Sequence, residues 1–137
     1  MTNWQNLDFE VIRQILKDVK SIAVVGLSSK PGRASNEVAN YLIENGYDVI
    51  PVNPGEDEIL GRKSYPDLKS IGHPVDLVDI FRKAEAVPPI VAEAIANRAR
   101  YIWLQLGIIS EAAYESATAA GIPIVMDRCI LQEHKKI

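Results

Sequence analysis

Lys30 and Arg33 stand in a short polar loop, Leu27-Ser28-Ser29-Lys30-Pro31-Gly32-Arg33-Ala34-Ser35, which the apolar run Ser21-Ile22-Ala23-Val24-Val25 enters through Gly26. Two cations, the hydroxyls of Ser28, Ser29 and Ser35, and two glycines suit one task, holding an anion. If a helix begins near Ala34 and Ser35, its first N–H groups lack partners and its dipole favours negative charge there. The chemistry so indicated is recognition of a phosphate-bearing cofactor rather than bond-making.

Spacing then excludes two familiar versions of such a loop. A dinucleotide fingerprint needs G-x-G-x-x-G and an acidic residue about 20 positions later to hold a ribose hydroxyl. Gly26 and Gly32 do not fit that spacing, position 28 is serine, and the next apolar run ends in Val52-Asn53-Pro54-Gly55 with no carboxylate at its tip. A Walker A loop fails as well, because Arg33-Ala34 follows Gly32 in place of Lys-Ser/Thr.

Other constellations are weak. Asp76 and Asp79 are three apart in a run that reads as a strand, so they point to opposite faces and cannot share a proton as an acid–base pair. No grouping of Cys, His and carboxylates has metal-ligand spacing, so no metal is expected. His73 beside Pro74 and His134 near the end have no motif around them and read as surface or structural residues. Trp103 and Tyr47 read as core.

The elements that must position the loop follow from periodicity. Phe9, Ile12, Ile15, Leu16 and Val19 recur at helical spacing, which predicts an amphipathic helix over about 8–19. Ser21 to Gly26 is an apolar run typical of a parallel strand covered on both faces. A helix from Ser35 to Glu44, a strand from Tyr47 to Val52, a short extended piece within 59–65 and a strand from Val75 to Phe81 come next. A helix follows from about Pro88 to Arg98, then a strand from Tyr101 to Leu106. Ser110 reads as the N-cap of a helix reaching Ala120, and a strand runs from Ile122 to Met126 before a short polar tail. Alternating strands and helices imply an α/β, parallel, doubly wound five-stranded sheet with an extra N-terminal helix. The expected strand order is 3-2-1-4-5.

Ligands of such sheets bind outside the carboxyl ends of the strands. The residues expected there are Gly26, Ser28, Ser29, Lys30, Arg33, Ala34 and Ser35 after strand 1, then Asn53 and Pro54 after strand 2. Phe81, Arg82 and Lys83 follow strand 3, Gln105 to Gly107 follow strand 4, and Arg128 and Cys129 follow strand 5. Lys30, Arg33, Arg82, Lys83 and Arg128 fall in this set although the 137-residue chain has a net charge of −3. That segregation points to a ligand with several negative charges, while the acidic balance argues against a general nucleic-acid surface.

The segments Val24 to Arg33, Gly46 to Pro54, Ile59-Leu60-Gly61, Tyr65-Pro66-Asp67-Leu68 and Met126-Asp127-Arg128-Cys129, in that order, resemble the small stand-alone coenzyme A-binding proteins. The fold of these is similar to the Rossmann-like N-terminal domain of the succinate–CoA ligase alpha subunit. The resemblance spans about 21–133. It implies that Gly26, Ser28, Ser29, Lys30, Arg33 and Ser35 hold coenzyme A phosphates, and that Asn53-Pro54 and Gln105 to Gly107 shape the rest of the cleft. Unlike the ligase, the chain is expected to carry no second domain bearing a phosphorylated histidine.

The sequence thus reads as a single domain over 1–137 that binds coenzyme A or an acyl-CoA, with no catalytic residue assigned. Two alternatives stand beside it: a thiol-redox switch or enzyme using Cys129 with the coenzyme thiol, and a module for NAD or another nucleotide. One cysteine allows no internal disulfide, no run approaches the length of a membrane span, and Met1 to Asn6 lacks a signal-peptide pattern. A cytoplasmic protein without membrane contact is expected. The outward face of the N-terminal helix is a candidate surface for a homodimer, and no protein partner is indicated.

Overall fold

Apolar residues at helical spacing build α1 (Phe9–Asp18), which Asp8 caps by accepting from the Val11 N–H. The computed structural model describes residues 4–137; Met1, Thr2 and Asn3, where the chain's expected leader-free start falls, lie outside the described residues. Five parallel strands follow the predicted apolar runs: β1 (Ser21–Val25), β2 (Asp48–Val52), β5 (Leu77–Ile80), β6 (Tyr101–Leu104) and β7 (Ile124–Val125). The expected extended piece is a separate antiparallel pair, β3 (Glu58–Ile59) and β4 (Arg62–Lys63). The connecting helices are α2 (Ala34–Glu44), α3 (Val87–Asn97) and α4 (Glu111–Ala119). Ser110 caps α4 as predicted, accepting from Ala113 N–H at 3.2 Å.

The fold class is as expected, a Rossmann-like α/β sheet with helices on both faces. The strand order is β2-β1-β5-β6-β7. Counted along the chain this is 2-1-3-4-5, which corrects the predicted 3-2-1-4-5: the third long strand pairs with the first and fourth. The order therefore reverses between β1 and β5, and the crevice at a reversal point opens between their tips.

Alternation along each strand divides the core. Ala23, Val25, Val78, Ile80, Ile102 and Leu104 face α3 and α4, while Ile22, Val24, Leu77 and Trp103 face α1 and α2. The second layer contains an element the sequence reading missed. The expected polar tail is a short helix, α5 (Ile130–His134), whose Ile130 is fully buried against that layer. Trp103 and Tyr47 are core residues as read, and the Trp103 ring N–H donates to Arg128 O at 2.7 Å. His73 is exposed, and His134 is half-buried, hydrogen-bonded at 2.6 Å to the Tyr41 hydroxyl.

Asp76 and Asp79 part company. Asp76 lies just before β5 and accepts from the N–H groups of Lys20 and Ser21 at 2.7 and 3.2 Å, fastening the start of β1. Asp79 sits in the middle of β5, in register with Val24 and Trp103, at 0% exposure and with no hydrogen bond to either carboxyl oxygen.

Candidate functional site

The turn after β1 is held by backbone contact. Gly26 has φ +86°, and a Cβ there would lie 2.5 Å from Phe81 O and 3.0 Å from Arg82 Cδ. Only glycine meets both demands. Beyond it the loop is wired internally. Ser35 Oγ accepts from Ser28 N–H at 2.9 Å, Ser28 Oγ accepts from Lys30 N–H at 3.1 Å, and the buried Asn36 donates to Ser28 O at 2.9 Å. Asn53, from the tip of β2, donates to Leu27 O at 2.9 Å and accepts from Gly55 N–H at 2.8 Å.

These bonds assign roles that residue type alone did not reveal. Ser28, Ser35 and Asn53 shape the loop before they meet any ligand, and Asn36, which the sequence reading omitted, does the same. Ser29 donates to Glu56 Oε1 at 2.7 Å, so its hydroxyl already has a partner and brings a carboxylate to the loop. Lys30 and Arg33, by contrast, are exposed and make no ion pair among the described residues. Arg33 occupies the N-cap position of α2, and no side chain caps that end. The first-turn N–H groups of α2 therefore remain free to meet an anion.

Next to this helix end lies a cleft of about 500 Å³. Ala34 and Val38 of α2 form one wall; Phe81, Arg82 and Lys83 beyond β5 form the floor and rim. Gln105, Leu106 and Ile108 beyond β6, with Cys129, close the far side. Leu106 is 69% exposed, an apolar lip with no internal partner to cover it. Gln105 is buried and fixed, its Oε1 accepting from Ile130 N–H at 3.2 Å. Val38 and Ile108 were not predicted as site residues, whereas Leu106 falls within the predicted stretch Gln105 to Gly107; Val38 follows Ala34 by one helical turn, a spacing that could have marked it.

Of the predicted set, the fold brings Ala34, Phe81, Arg82, Lys83, Gln105, Leu106 and Cys129 into the cleft, with Gly26, Ser28, Ser29, Lys30, Arg33 and Ser35 in the loop beside it. Pro54 lies apart, lining a smaller cavity of about 90 Å³ that shares Arg82. Gly107 is exposed, its N–H donating to Asp127 at 2.7 Å. Arg128 does not line the cleft: it sits in a groove with Leu7, Phe9 and Ile12 of the N-terminal segment. The reason is tertiary, since α5 and α1 pack together beside the strand-5 tip and turn successive side chains opposite ways.

Burial raises the Asp79 carboxyl well above the usual carboxylate range. Its side chain lies on the face that carries Phe81 two residues later, one row of side chains beneath the cleft floor. Among the described residues no group of three or more His, Cys, Asp or Glu side chains could hold a metal ion, and no helix is long and apolar enough to cross a membrane.

Known proteins share this chain's sequence pattern and fold. A family model described as a CoA binding domain matches residues 20–135. The chain is 41% identical over 130 residues to the uncharacterized protein YneT of Bacillus subtilis, covering 95% of this chain and 96% of that one. It is 40% identical over 86 residues to the alpha subunit of an ADP-forming acetate–CoA ligase of Pyrococcus furiosus, 58% of this chain but 19% of that subunit. Among solved structures, a hypothetical protein from Pyrococcus horikoshii is similar at a TM-score of 0.92 and 41% identity, covering 99% of this chain and 98% of that one. A protein from Thermus thermophilus is similar at 0.90 and 37%, covering 95% and 98%.

Proposed function

This chain belongs to the CoA binding domain family, and from that premise we propose that it binds coenzyme A or an acyl-CoA in the cleft between the tips of β1, β5 and β6. The observation that carries the reading is the uncapped N-terminus of α2, flanked by the unpaired Lys30 and Arg33 and opening directly into a largely apolar cleft. Coenzyme A matches that sequence of surfaces, with a polyanionic end for the helix terminus and cations and a long pantetheine arm for the apolar floor. Gly26 supports the fit, because its missing side chain lets the ligand-facing loop and the β5 tip meet through bare backbone.

In this reading the free N–H groups at the start of α2 and the side chains of Lys30 and Arg33 hold the phosphates. Ser28, Ser35, Asn36 and Asn53 keep the loop in shape. Phe81, Gln105, Leu106 and Ile108 receive the arm, and Arg82 and Lys83 stand at the rim. The ligand's thiol end would then approach Cys129. The chain acts as a binding domain; no residue is assigned to catalysis.

NAD is the less suited ligand. A nicotinamide dinucleotide wants a carboxylate at the tip of β2 for its ribose diol, whereas Asn53 stands there with both ends of its amide already bonded. Calorimetric titration with coenzyme A, dephospho-coenzyme A and NAD tests the proposal. Coenzyme A should bind most tightly and dephospho-coenzyme A more weakly, through loss of one phosphate. Preference for NAD would overturn it.

A further inference from the structure

A second groove lies at the opposite end of the sheet from the cleft. It lies where β5 begins, between the last turns of α3 and the segment 68–74, with a volume of about 560 Å³. That is within the size range of small-molecule sites. Its shape is pinned by two side chains of α3. Glu93 accepts from Leu68 N–H at 3.1 Å, and Asn97 both accepts from Val75 N–H at 3.0 Å and donates to His73 O at 2.9 Å. Leu68, Pro74 and Ala96 supply apolar wall.

Two cations line the same groove, Lys69 and Arg98, and neither makes an ion pair or a side-chain hydrogen bond among the described residues. Asp67, the acid nearest in sequence to Lys69, is hydrogen-bonded to the N–H and hydroxyl of Ser70, and these bonds with the nearby Lys69 charge hold its carboxyl below the usual carboxylate range. Arg98 is also in the wrong conformation for its type. It ends α3 at φ +66° and ψ +36°, the left-handed position that glycine fills most cheaply. That backbone closes α3, the Arg98 N–H donating to Ile95 O at 3.0 Å, and it leaves the side chain exposed at the groove.

We propose that this groove is a second binding site, taking a small amphipathic monocarboxylate: an aliphatic body against Leu68, Pro74 and Ala96, and a carboxylate between Lys69 and Arg98. The charge of the ligand follows from the lining. Lys69 and Arg98 contribute two positive charges and Glu93 one negative, which favours a monoanion over a phosphate dianion. The site is independent of the coenzyme A reading, since it shares none of the residues assigned to that cleft.

Decanoate is the probe, with decanol and decylamine as controls of equal chain length, each titrated into the intact protein and followed by backbone amide shifts. Decanoate should shift the amides of Leu68, Lys69, Ala96 and Asn97, and decylamine should not. Arg98→Gly should weaken decanoate at least about tenfold, the loss expected for an ionised hydrogen bond, while raising the thermal midpoint by relieving the backbone. Lys69→Gln should weaken it as well without changing stability. Decanol binding as tightly as decanoate, shifts confined to the strand-tip cleft, no saturable shift at all, or unchanged affinity in Arg98→Gly would each overturn the proposal.

Discussion

The backbone oxygen of Phe81 lies 2.5 Å from the point a Cβ on Gly26 would occupy, so the tips of β1 and β5 meet with no side chain between them. Strand order reverses at this place, and the cleft opens beside it. Gly32, in the same loop, shares the left-handed backbone (φ +91°) but has nothing within 4 Å of a Cβ.

Those two glycines make a matched pair of variants. Gly32→Ala should cost about 1–2 kcal/mol, the price of the backbone conformation alone. Gly26→Ala should cost a further 1–3 kcal/mol or so, because overpacking adds to it, and should weaken coenzyme A by prising the strand tips apart. Urea unfolding of both variants reads the difference; equal losses would mean that the contact with Phe81 yields freely.

Arg33→Ala should leave stability within about 0.5 kcal/mol of the wild type, as for other exposed positions without partners. Coenzyme A affinity should fall roughly tenfold or more, reflecting about 1.5–3 kcal/mol for an ionised hydrogen bond to phosphate. Calorimetry at low salt is the measurement. An unchanged dissociation constant would take Arg33 out of the site.

Asp79 predicts an unusual pH dependence. Its folded pKa is raised by burial, while in the unfolded chain it ionises near the ordinary value of about 3.9. Below that value both states are protonated and ionisation contributes nothing to stability. Between it and the raised folded pKa the unfolded state loses the proton and the native state keeps it, so stability falls as pH rises. Asp79→Asn should remove this slope, and Asp79→Leu should in addition stabilise the domain at pH 7 by about 1–3 kcal/mol, the penalty of an unsatisfied buried polar group. Denaturant midpoints from pH 4 to 8, taken as variant minus wild type, give the answer. A difference that does not grow with pH would show the carboxyl ionised in the native protein.

Cys129 is half-buried and lines the cleft, close to where the ligand thiol is proposed to end. Its thiolate can attack coenzyme A disulfide, forming a protein–coenzyme disulfide and releasing one coenzyme A thiolate as the original S–S bond breaks. Intact mass should show one added coenzyme unit, removable by reductant and absent in Cys129→Ser. Absence of the adduct in a protein that still binds coenzyme A reversibly would make Cys129 a packing residue only.

Local pattern was enough to find the strand from Ser21, the glycine that ends it, the cation-bearing loop and the Ser110 cap, because each depends on neighbours a few positions away. It also marked Phe81, Arg82 and Gln105 as strand-tip residues, since a parallel sheet presents every tip on one side. Strand order was beyond it. All the long strands are covered on both faces, so their apolar runs carry no mark of which neighbour each will pair with; the crossovers settle that, and they place β5 beside β1. The same holds for α5, too short for a periodic signal and stabilised as a helix by burying Ile130 in a layer supplied by α1 and α2. Arg128 left the cleft for that reason. Asp79 reads in sequence as a polar break in a strand, and only packing from α2, β1 and β6 made it a buried, partnerless acid beneath the site. Sequence determined what chemistry the loop could perform; long-range packing decided which side chains face it, because burial and pairing are properties of the assembled layers and not of any one segment.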